Sequence, residues 1–282
     1  MKFLSFEFQN QSRYGVLDGD QIIDLTSAPA PTLRALLESG RLPMLAQAKA
    51  RGGRRVPLSA IRFLPPITAP DKIICVGLNY RTHAAEVNLP IPEKPSLFVR
   101  FPGSQVGHGA AVVCPAASSQ FDYEAELAVI IGRSGRHIEA ADALGHVAGY
   151  SCFAENSVRD WQKHAAQITP GKNFQSSGAF GPWLTTPDEI EDLGAAEVIG
   201  RLNGEEVQRD RVSGLIFGIP ALISYISAFA QLLPGDVIST GTPAGVGFAR
   251  KPPRFMRPGD TLEVEVTGVG LLRNTVVAES AR

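Results

Sequence analysis

From Lys72 onward, proline and glycine cut the chain into short apolar segments: Ile73 to Val76, Leu97 to Arg100, Glu124 to Ile131, Val198 to Leu202, Asp236 to Thr240 and Thr261 to Val266. Segments of this length bounded by turn residues read as strands. Only a few helices fit between them, near Tyr80 to Val87, Glu155 to Gln167 and Pro220 to Leu232. Strands that outnumber helices, with no regular alternation of the two, predict a mixed α/β fold rich in β structure rather than a doubly wound sheet.

The stretch before Lys72 reads as short strands from the first residues on. A turn at Leu17-Asp18-Gly19-Asp20 separates Tyr14-Gly15-Val16 from Ile22-Ile23, and a helix follows near Thr32 to Ser39. A basic run from Lys49 to Arg55 suits a solvated face or loop, and Pro65-Pro66-Ile67-Thr68-Ala69-Pro70 makes a stiff, extended joint. The expected organisation is a small N-terminal α+β domain over residues 1–64 and a larger domain over residues 65–282.

Composition narrows the partners. A formal charge of −1 leaves no broad positive field, so neither nucleic acid nor a membrane surface is expected, and the substrate should be small. Cys75, Cys114 and Cys152 are widely spaced with no C-x-x-C pattern, and read as small hydrophobes rather than disulfides or zinc thiolates. The N-terminus meets charge too soon for a secretory signal, so the expected location is cytoplasmic. Val212 to Gly235 carries no charge and matches a membrane span in length. Yet after Pro220 the polar Ser224, Ser227 and Gln231 fall on one helical face, which predicts an amphipathic helix lying on a core.

Five motifs carry chemistry. In Asp122-Tyr123-Glu124-Ala125-Glu126, strand alternation points Glu124 and Glu126 the same way, and such a pair needs a cation, a proton or full hydration. Carboxylate oxygens suit a hard ion such as Mg²⁺ or Mn²⁺, although the solvated face of an edge strand also fits. Helical spacing would set Glu155, Arg159 and Gln162 on one face, either as a donor-rich surface or as a plain surface ion pair. His83 and Glu86 are three residues apart, where a carboxylate orients an imidazole as a general base or simply makes a polar contact. Lys172, in Pro170-Gly171-Lys172-Asn173, is a candidate anchor for an oxyanion. The turn Gly241-Thr242-Pro243-Ala244-Gly245-Val246-Gly247 lacks the spacings of nucleotide-binding loops but offers backbone donors to a carboxylate.

In this order, these segments, together with Gly77-Leu78-Asn79-Tyr80, Asn203-Gly204-Glu205 and Pro234-Gly235-Asp236, resemble the fumarylacetoacetate hydrolase family from about Lys72 to Arg273. The resemblance implies a mixed β-sandwich roll with a small N-terminal domain, a homodimer, and Mg²⁺ or Mn²⁺ held by Glu124, Glu126 and Glu155. Two departures stand out. The family usually carries an aspartate where Glu155 stands, and a lysine is common where Arg100 stands.

The activity implied is metal-dependent hydrolysis of a carbon–carbon bond in an acylpyruvate-like 2,4-dioxo acid through a metal-bound enolate. His83 with Glu86 would activate water, and Lys172 and Gln162 would steady the oxyanion. Arg159, Ser176, Gly241, Thr242 and Tyr80 would hold the substrate. The same site also fits decarboxylation or isomerisation of oxaloacetate-like or unsaturated dicarboxylic 2-oxo acids. A reading of another class is a metal-stabilised protein that binds a metabolite without turnover. Substrate specificity should rest in loops such as Val87 to Pro95 and Phe248 to Pro258.

Overall fold

The computed structural model describes residues 1–26, 30–42 and 53–280. Most of the basic run from Lys49 to Arg55 therefore lies outside the described residues, apart from its last three, of which Arg55 opens a short strand, Arg55–Pro57. The fold is mixed α/β and dominated by two sheets. The larger has twelve strands, with a spine running Arg55–Pro57, Gln21–Asp24, Gln11–Asp18, Lys2–Phe8, Gly178–Thr185, Val147–Ala154, Ala125–Ile131, Val237–Ser239, Ile73–Gly77 and Ser96–Arg100. Most neighbours pair antiparallel, but Val237–Ser239 and Ile73–Gly77 run parallel. A five-stranded sheet, Glu205–Arg211, Glu197–Leu202, Thr261–Val266, Gly270–Ala278 and Val112–Cys114, packs against it.

Ala125–Ile131 explains the centre of the fold. All seven residues are buried, because both faces of this strand are covered. Leu127, Val129 and Ile131 enter a core shared with the five-stranded sheet and the helix Ile219–Phe229. Ala128 and Ile130 enter a second core with Phe3, Tyr14, Val16, Leu33 and Leu36 from the first forty residues. The strand is interior, so the solvated-edge alternative for Glu124 and Glu126 does not apply.

Two expectations change. Residues 155–167 do not form one helix: Ser157–Val158 is a strand pairing with Phe121–Asp122, and only the turn Arg159–Gln162 is helical. Extended backbone here lets the chain pair beside the carboxylates. The helix Ile219–Phe229 lies on the core as expected, but its polar residues do not all face solvent. Ser227 is fully buried, its hydroxyl accepting from the Ile138 N–H and donating to the Ser224 carbonyl, while Tyr225 and Phe229 are exposed. Among the described residues no helix is long and apolar enough to cross a membrane.

Candidate functional site

Sheet register delivers the carboxylates. Glu126 is the second residue of Ala125–Ile131, and Glu124 immediately precedes it. Ala154 pairs with Ala125, so the next residue, Glu155, arrives beside Glu124 and donates its backbone N–H to the Glu124 carbonyl at 2.9 Å. All three side chains are buried, and one oxygen from each lies within 4.8 Å of the others. Oxygens at about 2.1 Å from a Mg²⁺ ion are at most about 4.2 Å apart, so a small inward movement completes three sides of a coordination shell.

The charges around them are unequally shared. Lys172 Nζ stands 2.5 Å from Glu124 Oε2 and also binds Glu155 Oε2. Arg159 reaches Glu124 Oε1 at 2.8 Å and donates from Nε to Asp122 Oδ2 at 2.8 Å, with its guanidinium over the Phe248 ring. Arg100 binds Glu155 Oε1 at 2.9 Å. Glu126 is held only by neutral donors, the Ser239 hydroxyl at 2.5 Å and the Gly241 N–H at 2.9 Å; among the described residues no cation pairs with it.

Titration follows from this layout. Burial opposes ionisation of Glu124, but Arg159 and Lys172 outweigh it and hold the carboxyl well below the usual range. Burial, and then Glu155 and Glu124, push Glu126 well above it. Burial likewise raises Glu155, with Glu124 adding to it and Lys172 and Arg100 opposing. Burial also acts against the charge on Lys172, yet Glu124 and Glu155 hold its ammonium above its ordinary value. With all four ionised, Asp122, Glu124, Glu126 and Glu155 would outnumber Arg100, Arg159 and Lys172 by one charge, and Glu126 is the carboxylate with no cationic partner among the described residues. A divalent cation among the three glutamates fits this donor set and would leave a net positive site, suited to an anionic substrate.

These groups open into a cavity of about 360 Å³. Its polar lining is His83, Glu124, Glu126, Glu155, Arg159, Gln162, Lys172 and Thr242, and its apolar wall includes Val87, Leu89, Phe98, Ile168 and Phe248. His83 projects from the short helix Arg81–Glu86, with Nδ1 3.1 Å from Glu86 Oε2. The other Glu86 oxygen accepts the Gly245 N–H at 2.8 Å, which fixes the carboxylate.

Three of the expected substrate-holding residues lie off the cavity lining. Tyr80 is fully buried behind it. Ser176 has a φ of 54° and gives its N–H to the Gly103 carbonyl. Gly241 spends its N–H on Glu126, so it serves the carboxylate cluster instead. Its φ of 105° suits glycine, and an added Cβ would stand 2.7 Å from Asn79 Cβ. Thr242 lines the cavity while donating to the Ala125 carbonyl and accepting from Gln208.

The sequence reading assigned no role to Asp122, Ser157, Ser239 or Gln208. Asp122 accepts from Arg159 and from the N–H groups of Tyr123, Gly247 and Phe248, which ties the cavity rim to the strand. Its place inside the acidic motif was the signal. Ser157, Ser239 and Gln208 carried none, because only register brings them here.

Residues 72–277 match the family description "Fumarylacetoacetate (FAA) hydrolase C-terminal", and residues 1–66 match "Rv2993c-like, N-terminal". The chain is 41% identical over 250 residues to the oxaloacetate tautomerase FAHD2A, mitochondrial, of Homo sapiens, covering 87% of this chain and 80% of that protein. A solved fumarylacetoacetate hydrolase from psychrophilic Exiguobacterium antarcticum superimposes with a TM-score of 0.86 at 34% identity, covering 99% of this chain and all of that one. The maleylpyruvate hydrolase of Sphingobium sp. SYK-6, solved with manganese (II) ion and pyruvate, gives 0.83 at 27% identity over 99% of this chain and all of that one.

Proposed function

The chain belongs to the fumarylacetoacetate hydrolase family, and from that premise we propose that it is a divalent-metal-dependent enzyme catalysing keto–enol tautomerisation of an oxaloacetate-like 2-oxo acid. The observation that carries this reading is an oriented imidazole, His83 backed by Glu86, lining the same cavity as three buried carboxylates. The likeness to the human tautomerase supports it.

With Nδ1–H directed to Glu86, Nε2 is the ring nitrogen left to take a proton from the carbon beside the oxo group and deliver it to the enolate oxygen, or to run the same transfer in reverse. Lys172 and Arg159 supply positive charge to orient the substrate's carboxylate, and Gln162, which accepts from Arg159 Nη1 at 3.0 Å, keeps an amide NH₂ to donate to a substrate oxygen. Glu124, Glu126 and Glu155 would hold Mg²⁺ or Mn²⁺, which when bound supplies Lewis acidity toward negative charge developing on the oxo group. Phe98, Phe248 and Leu89 give the cavity an apolar wall on one side.

Hydrolysis of an acylpyruvate, expected first from the sequence, is the second reading. The apolar wall favours it, since it suits an acyl tail, and the same imidazole could deprotonate water. The manganese–pyruvate complex of the maleylpyruvate hydrolase points the same way. We also propose that the protein is a homodimer, a state that light scattering of the purified protein tests.

The test follows loss of enol absorbance from oxaloacetate, and pyruvate release from oxaloacetate and acetylpyruvate, with Mg²⁺, Mn²⁺ or EDTA. Metal-dependent enol loss without pyruvate, absent in His83→Ala, is the expected result. Metal-dependent pyruvate release from acetylpyruvate selects hydrolysis, and from oxaloacetate decarboxylation. Thermal stabilisation by metal with no turnover of either substrate would refute both readings and favour a protein that binds a metabolite without turnover.

A further inference from the structure

Arg100 and Glu155, the two departures noted in the sequence, touch each other. Arg100 closes the strand Ser96–Arg100 at the end of the large sheet, and its side chain is fully enclosed. Nη1 donates to Glu155 Oε1 and to the Asn156 carbonyl, both at 2.9 Å. Nη2 donates to Ser177 Oγ at 2.9 Å, and Nε to Ser104 Oγ at 3.1 Å. Space for the guanidinium depends on Gly178, where a Cβ would stand 2.9 Å from Nη2.

The three glutamates are not held alike. Glu124 accepts from the Ser157 hydroxyl as well as its cations, and Glu126 accepts from Ser239 and Gly241. Among the described residues, no neutral donor reaches the Glu155 carboxylate. Its Oε1 rests on Arg100 and its Oε2 on Lys172, and Lys172 lines the cavity. Arg100 alone grips Glu155 from behind, and through Asn156 it fixes the backbone at the same point. A lysine ammonium is a point charge on a flexible stem and cannot form this planar fork.

We propose that Arg100 is a positioning residue of the cation centre: by holding Glu155 Oε1 it leaves Oε2 as the one oxygen presented to Glu124 and Glu126, and it makes the longer glutamate workable there. This rests on the reading of the three glutamates as a divalent-metal site. Groups that orient a ligand from behind are worth on the order of 10–100-fold in metal affinity.

The test is titration of the full-length protein with Mn²⁺ by calorimetry, with the electron paramagnetic resonance spectrum of bound Mn²⁺ as a second readout. Arg100→Lys keeps the charge and removes the fork, so it is expected to lower Mn²⁺ affinity on the order of 10–100-fold and to alter the spectrum. Glu155→Asp is expected to weaken binding too, and the double variant by less than the product of the two losses, since both break one contact. Ser177→Ala, which loosens the guanidinium without touching charge or ligand, is expected to weaken binding by a smaller factor. Wild-type affinity and spectrum in Arg100→Lys would overturn the proposal, as would losses that simply multiply. If Arg100→Lys fails to fold, unchanged affinity in Ser177→Ala overturns it. A wild-type protein that does not bind Mn²⁺ would instead remove the metal-site reading itself.

Discussion

Replacing Lys172 by methionine keeps the volume of a side chain that is 3% exposed and deletes the charge shared by Glu124 and Glu155. The cluster can then stay ionised without its counter-charge or take up a proton. Protonation of Glu124, which Arg159 and Lys172 keep ionised in the wild type, sets the scale of the loss. Raising a carboxyl from an ordinary pKa near 4.3 to pH 7 costs about 3.7 kcal/mol, at about 1.36 kcal/mol per unit. That lies within the roughly 3–5 kcal/mol typical of removing one partner of a buried pair. At roughly 2–4 °C per kcal/mol, the midpoint of thermal unfolding in EDTA should fall by about 7–15 °C. The sign with pH is fixed as well. A carboxyl whose folded pKa is raised above its unfolded value destabilises more as pH rises and ceases to do so near the unfolded pKa. On the same scale the value at pH 6 is about 2.3 kcal/mol, and because Glu124 stays ionised in the wild type, the gap between variant and wild type should narrow by about 1.4 kcal/mol per unit of acidification. Thermal scans of both proteins in EDTA at pH 6, 7 and 8 measure this. A gap below about 2 °C at pH 7, or one equal at all three pH values, would refute the assignment of Lys172 as a buried counter-charge.

Other perturbations test neighbouring parts. His83→Ala should lower kcat on the order of 10²–10⁴-fold while leaving Mn²⁺ affinity unchanged in calorimetry, because His83 pairs with Glu86 and with none of the three glutamates; a matching fall in affinity would contradict this. Glu126→Gln should raise the thermal midpoint in EDTA, because burial and its acidic neighbours raise the Glu126 pKa and make its ionised form a liability. That benefit should be absent below the ordinary carboxyl pKa of about 4.3 and grow as pH rises, while Mn²⁺ binding weakens at least about 10-fold; a midpoint unchanged at every pH would count against the unpaired carboxylate. Gly241→Ala combines positive φ with a close approach to Asn79, so a loss of about 1–3 kcal/mol in urea unfolding is expected, and a neutral result would show that the turn can reshape.

Much of the architecture was legible because apolar runs are bounded by turn residues: Thr261–Val266 matches its expected limits, and Ile73–Gly77 and Ser96–Arg100 do so within a residue. The acidic motif was legible for the same reason, since strand alternation joined Glu124 to Glu126 before any partner was known. Glu155 was placed through the wrong element. A helical face puts Glu155 near Arg159, but here a strand pairing turns the chain so that Arg159 reaches Glu124 and Asp122 instead. Local spacing could not foresee that, because the competing strand, Phe121–Asp122, lies more than thirty residues away. Arg100, Ser177 and Gln208 were illegible as site components because their contacts span tens of residues and depend on sheet order alone.

The second core, joining Ala128, Ile130 and Cys75 to Phe3, Tyr14, Val16 and Leu36, has a further consequence for chemistry. Cys75 is close enough to Glu155 and Glu126 for their charge, added to its own burial, to drive its thiol well above its usual value. The N-terminal strands thus act as insulation: they keep water from the rear of the acidic cluster, and the low local permittivity there magnifies every charge in front. An exchange of the first sixty residues for a looser or more polar segment would retune cation affinity and proton affinity together, with every residue of the cavity wall unchanged.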